Sequence, residues 1–173
     1  MKGVIGVCLA DLVKSKYGET KWKEILKQSG LDEDLTIMPS MDYEDSIIFN
    51  VFGKTCEVLK LTREQACDAF GDYWINDYAP KIYGAYYRRF KSAKEFILGM
   101  DDVHDMITST VPNARPPRFS YEEVSESKIV ITYKSARNMI DFYVGLIKGI
   151  GTYFKTRVSV TKLSEEKVEV VFQ

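Results

Sequence analysis

Apolar positions recur at helical spacing through the first hundred or so residues and switch to alternation near the end. Residues 2–17 put Ile5, Cys8, Leu9 and Leu12 on one face of a helix, with Gly18 as its stop. A second helix over 20–29 carries Trp22, Ile25 and Leu26 and ends at Gly30, and residues 31–42 form a connector containing Pro39. A third helix over 44–60 turns Ile47, Ile48, Val51, Val58 and Leu59 inward. Thr62-x-x-Gln65 is a capping box that opens a fourth helix, and Pro80 predicts a kink or boundary within 77–82. Ser92-x-x-Glu95 is a second capping box, expected to open the helix that carries His104.

Beyond residue 110 the pattern changes. Val111–Pro117 holds three prolines and no helical period, which predicts a loop. Residues 118–123 and 127–134 read as two strands joined near Ser125-Glu126-Ser127, and Ser135 serves as the N-cap of a helix over 136–154. Residues 156–162 and 167–173 alternate and form a hairpin turning at Ser164-Glu165-Glu166. The order β-β-α-β-β implies an antiparallel sheet packed on one long helix. The expected fold is α+β in a single domain over 1–173. Its helical N-terminal lobe covers about 1–110, and its C-terminal lobe of sheet and helix covers about 111–173.

Composition narrows the function classes. The 173 residues are 45% hydrophobic and 28% charged, as in soluble globular proteins, and the net charge is −1. No Lys/Arg run is dense enough to track a phosphate backbone, so nucleic acid is not an expected partner. Cys8, Cys56 and Cys67 lack C-x-x-C spacing and fit reduced thiols in a cytoplasmic protein better than a zinc site. The apolar run Val4–Ala10 is cut short by Asp11 and Lys14, so it is neither a signal peptide nor a membrane span. Gly145-x-x-x-Gly149-x-Gly151 does not follow a strand, so it reads as close helix packing rather than a phosphate loop.

Two features carry chemistry. In an extended strand Tyr133 and Ser135 point the same way, and Arg137 joins them if extension persists. Two hydroxyls and a guanidinium make a receptor for carboxylate or phosphate oxygens. The lone histidine, His104, lies in the stripe Ala93/Ile97/Met100/His104/Ile107, which aims its imidazole inward. On the residues alone it reads either as a hydrogen-bonded core histidine or as a metal ligand. An anion receptor together with an imidazole ligand suits haem, with iron on the histidine and propionates on the cluster.

Tyr133-x-Ser135-x-Arg137, preceded by Asp102-Val103-His104 and by Pro116-Pro117, resembles the haem nitric oxide/oxygen-binding (H-NOX) family, which includes the haem domain of soluble guanylate cyclase. The resemblance runs from Met1-Lys2-Gly3 to the C-terminal strands. It implies haem b (iron protoporphyrin IX) between the two lobes, with His104 as proximal iron ligand and Tyr133, Ser135 and Arg137 on the propionates. It also implies that Pro117, the neighbour of Pro116, presses on the macrocycle and distorts it. Asp101 and Asp105 flank His104, and either would strengthen the iron–histidine bond by reaching its free ring nitrogen.

The same resemblance draws the distal wall from Ile5, Leu9, Trp74, Phe142 and Leu146. Oxygen-binding members place a tyrosine five residues after the motif arginine. Here that residue is Phe142, with Tyr143 about 100° further round the helix. Loss of that donor removes a bond of about 1.5–3 kcal/mol from bound dioxygen, whereas nitric oxide needs none. The expected function is therefore a cytoplasmic sensor of nitric oxide, with carbon monoxide as a further ligand. A dioxygen sensor or carrier of the same fold is the alternative, in which Trp74 or Tyr143 would be the donor. With one histidine and no distal carboxylate, no enzyme is expected. Output would pass to a separate histidine kinase, diguanylate cyclase/phosphodiesterase or chemotaxis receptor, or to the rest of a longer chain.

Overall fold

The computed structural model describes residues 1–173, and they divide into two compact units, Met1–Ala66 and Cys67–Gln173. The first is helical: α1 (Val4–Tyr17), α2 (Glu19–Gln28) and α3 (Asp45–Leu59). Gly18 and Gly30 end the first two helices with positive φ, as their C-terminal placement predicts. Cys8, Leu12, Val13, Trp22, Ile25, Leu26, Ile48 and Val51 are buried here. Gly3 lies so close to the Met38 carbonyl that no side chain fits at its position.

Helix α4 (Arg63–Tyr73) opens on the Thr62 box, and the two residues satisfy each other. The Gln65 N–H donates to Thr62 Oγ1 (3.1 Å), and the Thr62 N–H donates to Gln65 Oε1 (2.9 Å). A π-helical turn, Trp74–Tyr78, follows, and α5 (Ala79–Tyr87) starts with Pro80 in its first turn. The boundary predicted at 77–82 is present. Pro80 sits where a missing N–H costs nothing, and the backbone departs from helix only at Tyr83.

The Ser92 box does not open the helix that carries His104. Ser92 caps α6 (Ala93–Leu98), accepting from the Glu95 N–H at 3.2 Å, and Gly99 then breaks the run. His104 belongs to a separate helix, α7 (Met100–Thr110). The single stripe predicted across both helices is thus split: Ala93 and Ile97 are buried in α6, whereas α7 buries only Val103 completely.

Strands β1 (Arg118–Ser125), β2 (Lys128–Lys134), β3 (Val158–Lys162) and β4 (Lys167–Phe172) form one antiparallel sheet in the order β1-β2-β4-β3. Alternation on β2 buries Ile129, Ile131 and Tyr133, and pairs Ile129 with Val170 and Ile131 with Val168. Ser135 is not a helix cap. Its Oγ accepts from the Arg137 N–H (3.2 Å) in a local turn, and α8 (Ile140–Tyr153) begins four residues later than expected. Arg137 therefore lies outside the first helical turn, and no helix dipole bears on it.

The glycines of α8 do what close packing requires. A Cβ on Gly145 would overlap the Cys67 carbonyl, and one on Gly149 would come 2.7 Å from the Gly71 oxygen. Gly71 in turn faces the Gly145 backbone, so α4 and α8 meet main chain to main chain. Gly145→Ala should lower the unfolding free energy by about 2 kcal/mol, because backbone cannot give way as a side chain can. Gly53→Ala, on exposed α3 with open space around it, should instead raise it by about 0.5–1 kcal/mol. Urea unfolding of both variants checks the contrast.

Candidate functional site

The second unit contains most of the predicted site. His104 is half-buried on α7, and its Nδ1 lies 2.8 Å from the Pro117 carbonyl oxygen. A carbonyl only accepts, so Nδ1 carries the proton and the lone pair of the neutral ring is on Nε2. Nε2 has no hydrogen-bond partner in the protein. Burial draws the imidazole pKa below its ordinary value, against the raising effects of the Pro117 carbonyl and Asp101, and favours that neutral form. The Phe119 ring lies 5.3 Å from the imidazole, centroid to centroid.

Neither flanking aspartate reaches the ring. Arg118, the first residue of β1, takes both. Its Nε and Nη2 donate to the two oxygens of Asp101 at 2.9 and 2.7 Å, and its Nη1 donates to Asp105 at 2.7 Å. The Asp101 carboxylate also accepts from the Phe119 N–H (2.7 Å). A backbone carbonyl therefore takes the place beside His104 that an aspartate would need in order to act on the ring.

Tyr133, Ser135 and Arg137 do come together. Tyr133 is 4% exposed, and burial raises its phenol pKa. The Ser135 hydroxyl, the Met139 backbone and the Arg137 charge act in the opposite direction. Positive φ at Asn138 lets the chain turn so that these groups converge. Arg137 Nη1 donates to the Arg115 carbonyl (2.7 Å), in the same loop whose Pro117 carbonyl holds His104. One loop thus touches both the imidazole and the cationic cluster. A guanidinium has donors to spare for an acidic group.

Trp74 on the π-helical turn and Phe142 on α8 are linked through Phe70, which the sequence reading missed. Phe70 stacks on Trp74 at 6.0 Å and meets Phe142 edge-on at 5.4 Å. Its one-turn spacing from Trp74 on a continuous helix was the available signal. The Trp74 indole N–H makes no hydrogen bond within the protein. Leu146, one turn beyond Phe142, is half-buried. Tyr143 does not share Phe142's surroundings. It stacks on Phe119 (4.6 Å) and Tyr133 (5.6 Å), with its buried hydroxyl unpartnered. Ile5 and Leu9 lie on α1 of the first unit.

A free Nε2 lone pair on one element and a Tyr/Ser/Arg cluster on another are the donor set that a haem needs. A model of the Haem-NO-binding family matches residues 2–162, and the chain belongs to that family, whose domains bind haem and sense gas. The soluble guanylate cyclases gcy-31 and gcy-32 of Caenorhabditis elegans are 28% and 26% identical over 96% and 87% of this chain. The chain spans about a quarter of their length, 24% and 22%. An oxygen-binding H-NOX domain related to soluble guanylate cyclases, solved as its oxygen complex, superposes with a TM-score of 0.83 at 27% identity, covering 100% of this chain and 95% of that one. A Cs H-NOX variant carrying 4-cyano-L-phenylalanine gives 0.87 at 26%, covering 100% and 97%. No helix is long and apolar enough to cross a membrane.

The Arg118 guanidinium, chiefly, and the Phe119 N–H hold the Asp101 carboxyl at about 2, below the ordinary 3.8, despite opposing desolvation. A carboxyl with a depressed folded-state pKa stabilises the fold fully above pH 3.8 and loses that contribution as the pH falls through about 2. Asp101→Asn should therefore show a shallower fall in thermal midpoint between about pH 4 and pH 2 than the unmutated protein. Calorimetry across that range measures the difference.

Proposed function

We propose that this chain senses nitric oxide at a ferrous haem b ligated by His104, and that release of His104 is the signal. The observation that carries the proposal is the Nδ1–H bond to the Pro117 carbonyl, which presents a neutral Nε2 lone pair. Tyr133, Ser135 and Arg137 would hold the propionates, and Pro117, directly before β1, would press on the macrocycle. A ferrous haem held by these residues would supply a gas-binding position and a bond to His104 that a bound gas could weaken. His104, once free, lets α7 shift. A separate effector reads that shift: a histidine kinase, a diguanylate cyclase/phosphodiesterase or a chemotaxis receptor. Where the chain is joined to a cyclase, as in the guanylate cyclases it resembles, the effector is that domain. The residues of the site perform no catalysis in this scheme.

Selectivity falls to the distal residues. Phe142 and Phe70 offer no hydrogen bond, and with Leu146 they favour a ligand that needs none. The unpartnered indole N–H of Trp74 supports the second reading, a dioxygen sensor or carrier, in which that group is the donor.

Visible absorption of the dithionite-reduced protein, repeated in air and with nitric oxide, decides between them. The expected result is a five-coordinate ferrous haem that forms no stable adduct in air and becomes five-coordinate again with nitric oxide. A stable dioxygen adduct that is lost in Trp74→Phe would establish the second reading instead. Protein expressed with adequate iron yet lacking haem would overturn both. Phe142→Tyr should slow dioxygen loss by about 10- to 100-fold, the worth of one charge-assisted hydrogen bond. Stopped-flow mixing measures that rate. His104→Gly should lose the axial ligand and regain it with added imidazole.

A further inference from the structure

Pro117 and the first two residues of β1, Arg118 and Phe119, grip three side chains of α7. The Pro117 carbonyl holds His104, the Phe119 N–H and ring meet Asp101 and His104, and Arg118 spans Asp101 and Asp105. The two aspartates lie one turn apart and bracket the histidine in sequence. Helix α7 has few other attachments. It is separated from α6 at Gly99, which supplies no side-chain cap, and Val103 is its one fully buried residue.

Energy alone gives a poor account of the Arg118 cluster. The Arg118 and Asp105 side chains are 46% and 69% exposed, and ion pairs in such surroundings contribute little to stability. The cluster does supply geometry. The fork on Asp101 is bidentate, which fixes direction as well as distance, and it adjoins the carbonyl that sets the imidazole tautomer. Asp102, beside Asp101 in sequence, makes no ion pair.

We propose that Arg118 is a positioning residue that sets how readily His104 leaves its iron partner, by tying α7 to the start of β1. The proposal rests on His104 being the axial ligand. While the fork holds, the imidazole stays within reach of re-ligation. Without it, α7 moves away more often and the released state is favoured.

The test uses the haem-loaded chain. Resonance Raman of the ferrous protein reads the iron–histidine stretch, and absorption of the nitric oxide complex reads the ratio of five- to six-coordinate forms. Arg118→Gln should lower the stretching frequency and shift the ratio toward five-coordinate by about fivefold, the scale of one exposed ion-pair network. Arg118→Lys, which keeps the charge without the fork, should fall between, and Asp102→Asn should match the unmutated protein. High salt should move the unmutated protein toward the Gln variant and leave that variant unchanged. Amide hydrogen exchange should quicken along α7 in the Gln variant. Asp105→Ala, which removes the single Nη1 bond, gives the same test if Arg118→Gln fails to fold. A Gln variant that melts earlier but keeps frequency and ratio would assign Arg118 a purely structural role and overturn the proposal. Absence of any iron–histidine band in the unmutated protein would overturn the assignment of His104 itself, and the proposal with it.

Discussion

The hydrogen bond from His104 Nδ1 to the Pro117 carbonyl is the contact on which the proposed chemistry depends. It settles the tautomer without a second titratable group, so the lone pair of Nε2 is available whatever the charge state of nearby aspartates. A carboxylate in that position would have pulled the proton toward itself and made the imidazole a stronger donor to iron. A carbonyl leaves it a weaker one, which suits a bond meant to break. The aspartates that might have played that part are occupied by Arg118.

The loop 111–117 joins functions that lie far apart in the sequence. Its Arg115 carbonyl receives Arg137 and its Pro117 carbonyl receives His104, so the cationic cluster and the imidazole share one stretch of main chain. Prolines suit such a loop because they restrict its backbone. Tyr143 adds an aromatic floor: its ring bridges Phe119 and Tyr133, the residues nearest the imidazole and the cluster, and its unpartnered hydroxyl is a polar group left buried among them.

The helices of the first unit and the strand pairing of the second were legible because their periodicities are clean and their stops are glycines or capping boxes. Thr62 and Gln65 behave as their spacing predicts, and Gly145 and Gly149 are packing glycines as expected. Errors arose where one local signal had two outcomes. Ser135 is as good a turn former as a helix cap, and the backbone chose the turn. Gly99 sits within a stripe of correct helical spacing, and periodicity alone does not register a break there. Alternation put Tyr133 and Ser135 on one side, but extension ends at Lys134 and a turn, not the strand, brings Arg137 to them. The grip of Arg118 was not, since nothing in the pattern near residue 101 points to a strand seventeen residues away. Phe70 stands one turn before Trp74, and what that spacing leaves open is its meeting with Phe142, more than seventy residues further along the chain.

Helices usually meet through a layer of side chains, and that layer lets them slide, tilt or repack. Between α4 and α8 that layer is missing at the glycines, where Gly71 faces Gly145 and Gly149 faces Gly71. Asn76 adds a strap from the π-helical turn to the Gly149 carbonyl at 3.2 Å. The two helices that carry Phe70 and Phe142 are therefore packed at backbone level, with little room to slide past each other. In the proposed scheme, travel on ligand binding falls instead to α7, which begins after Gly99, buries only Val103 and is tied to the start of β1 by polar contacts. In the proposed sensor, selectivity thus belongs to the tightly packed part of the molecule and motion to the loosely held part, so each can change in evolution without resetting the other.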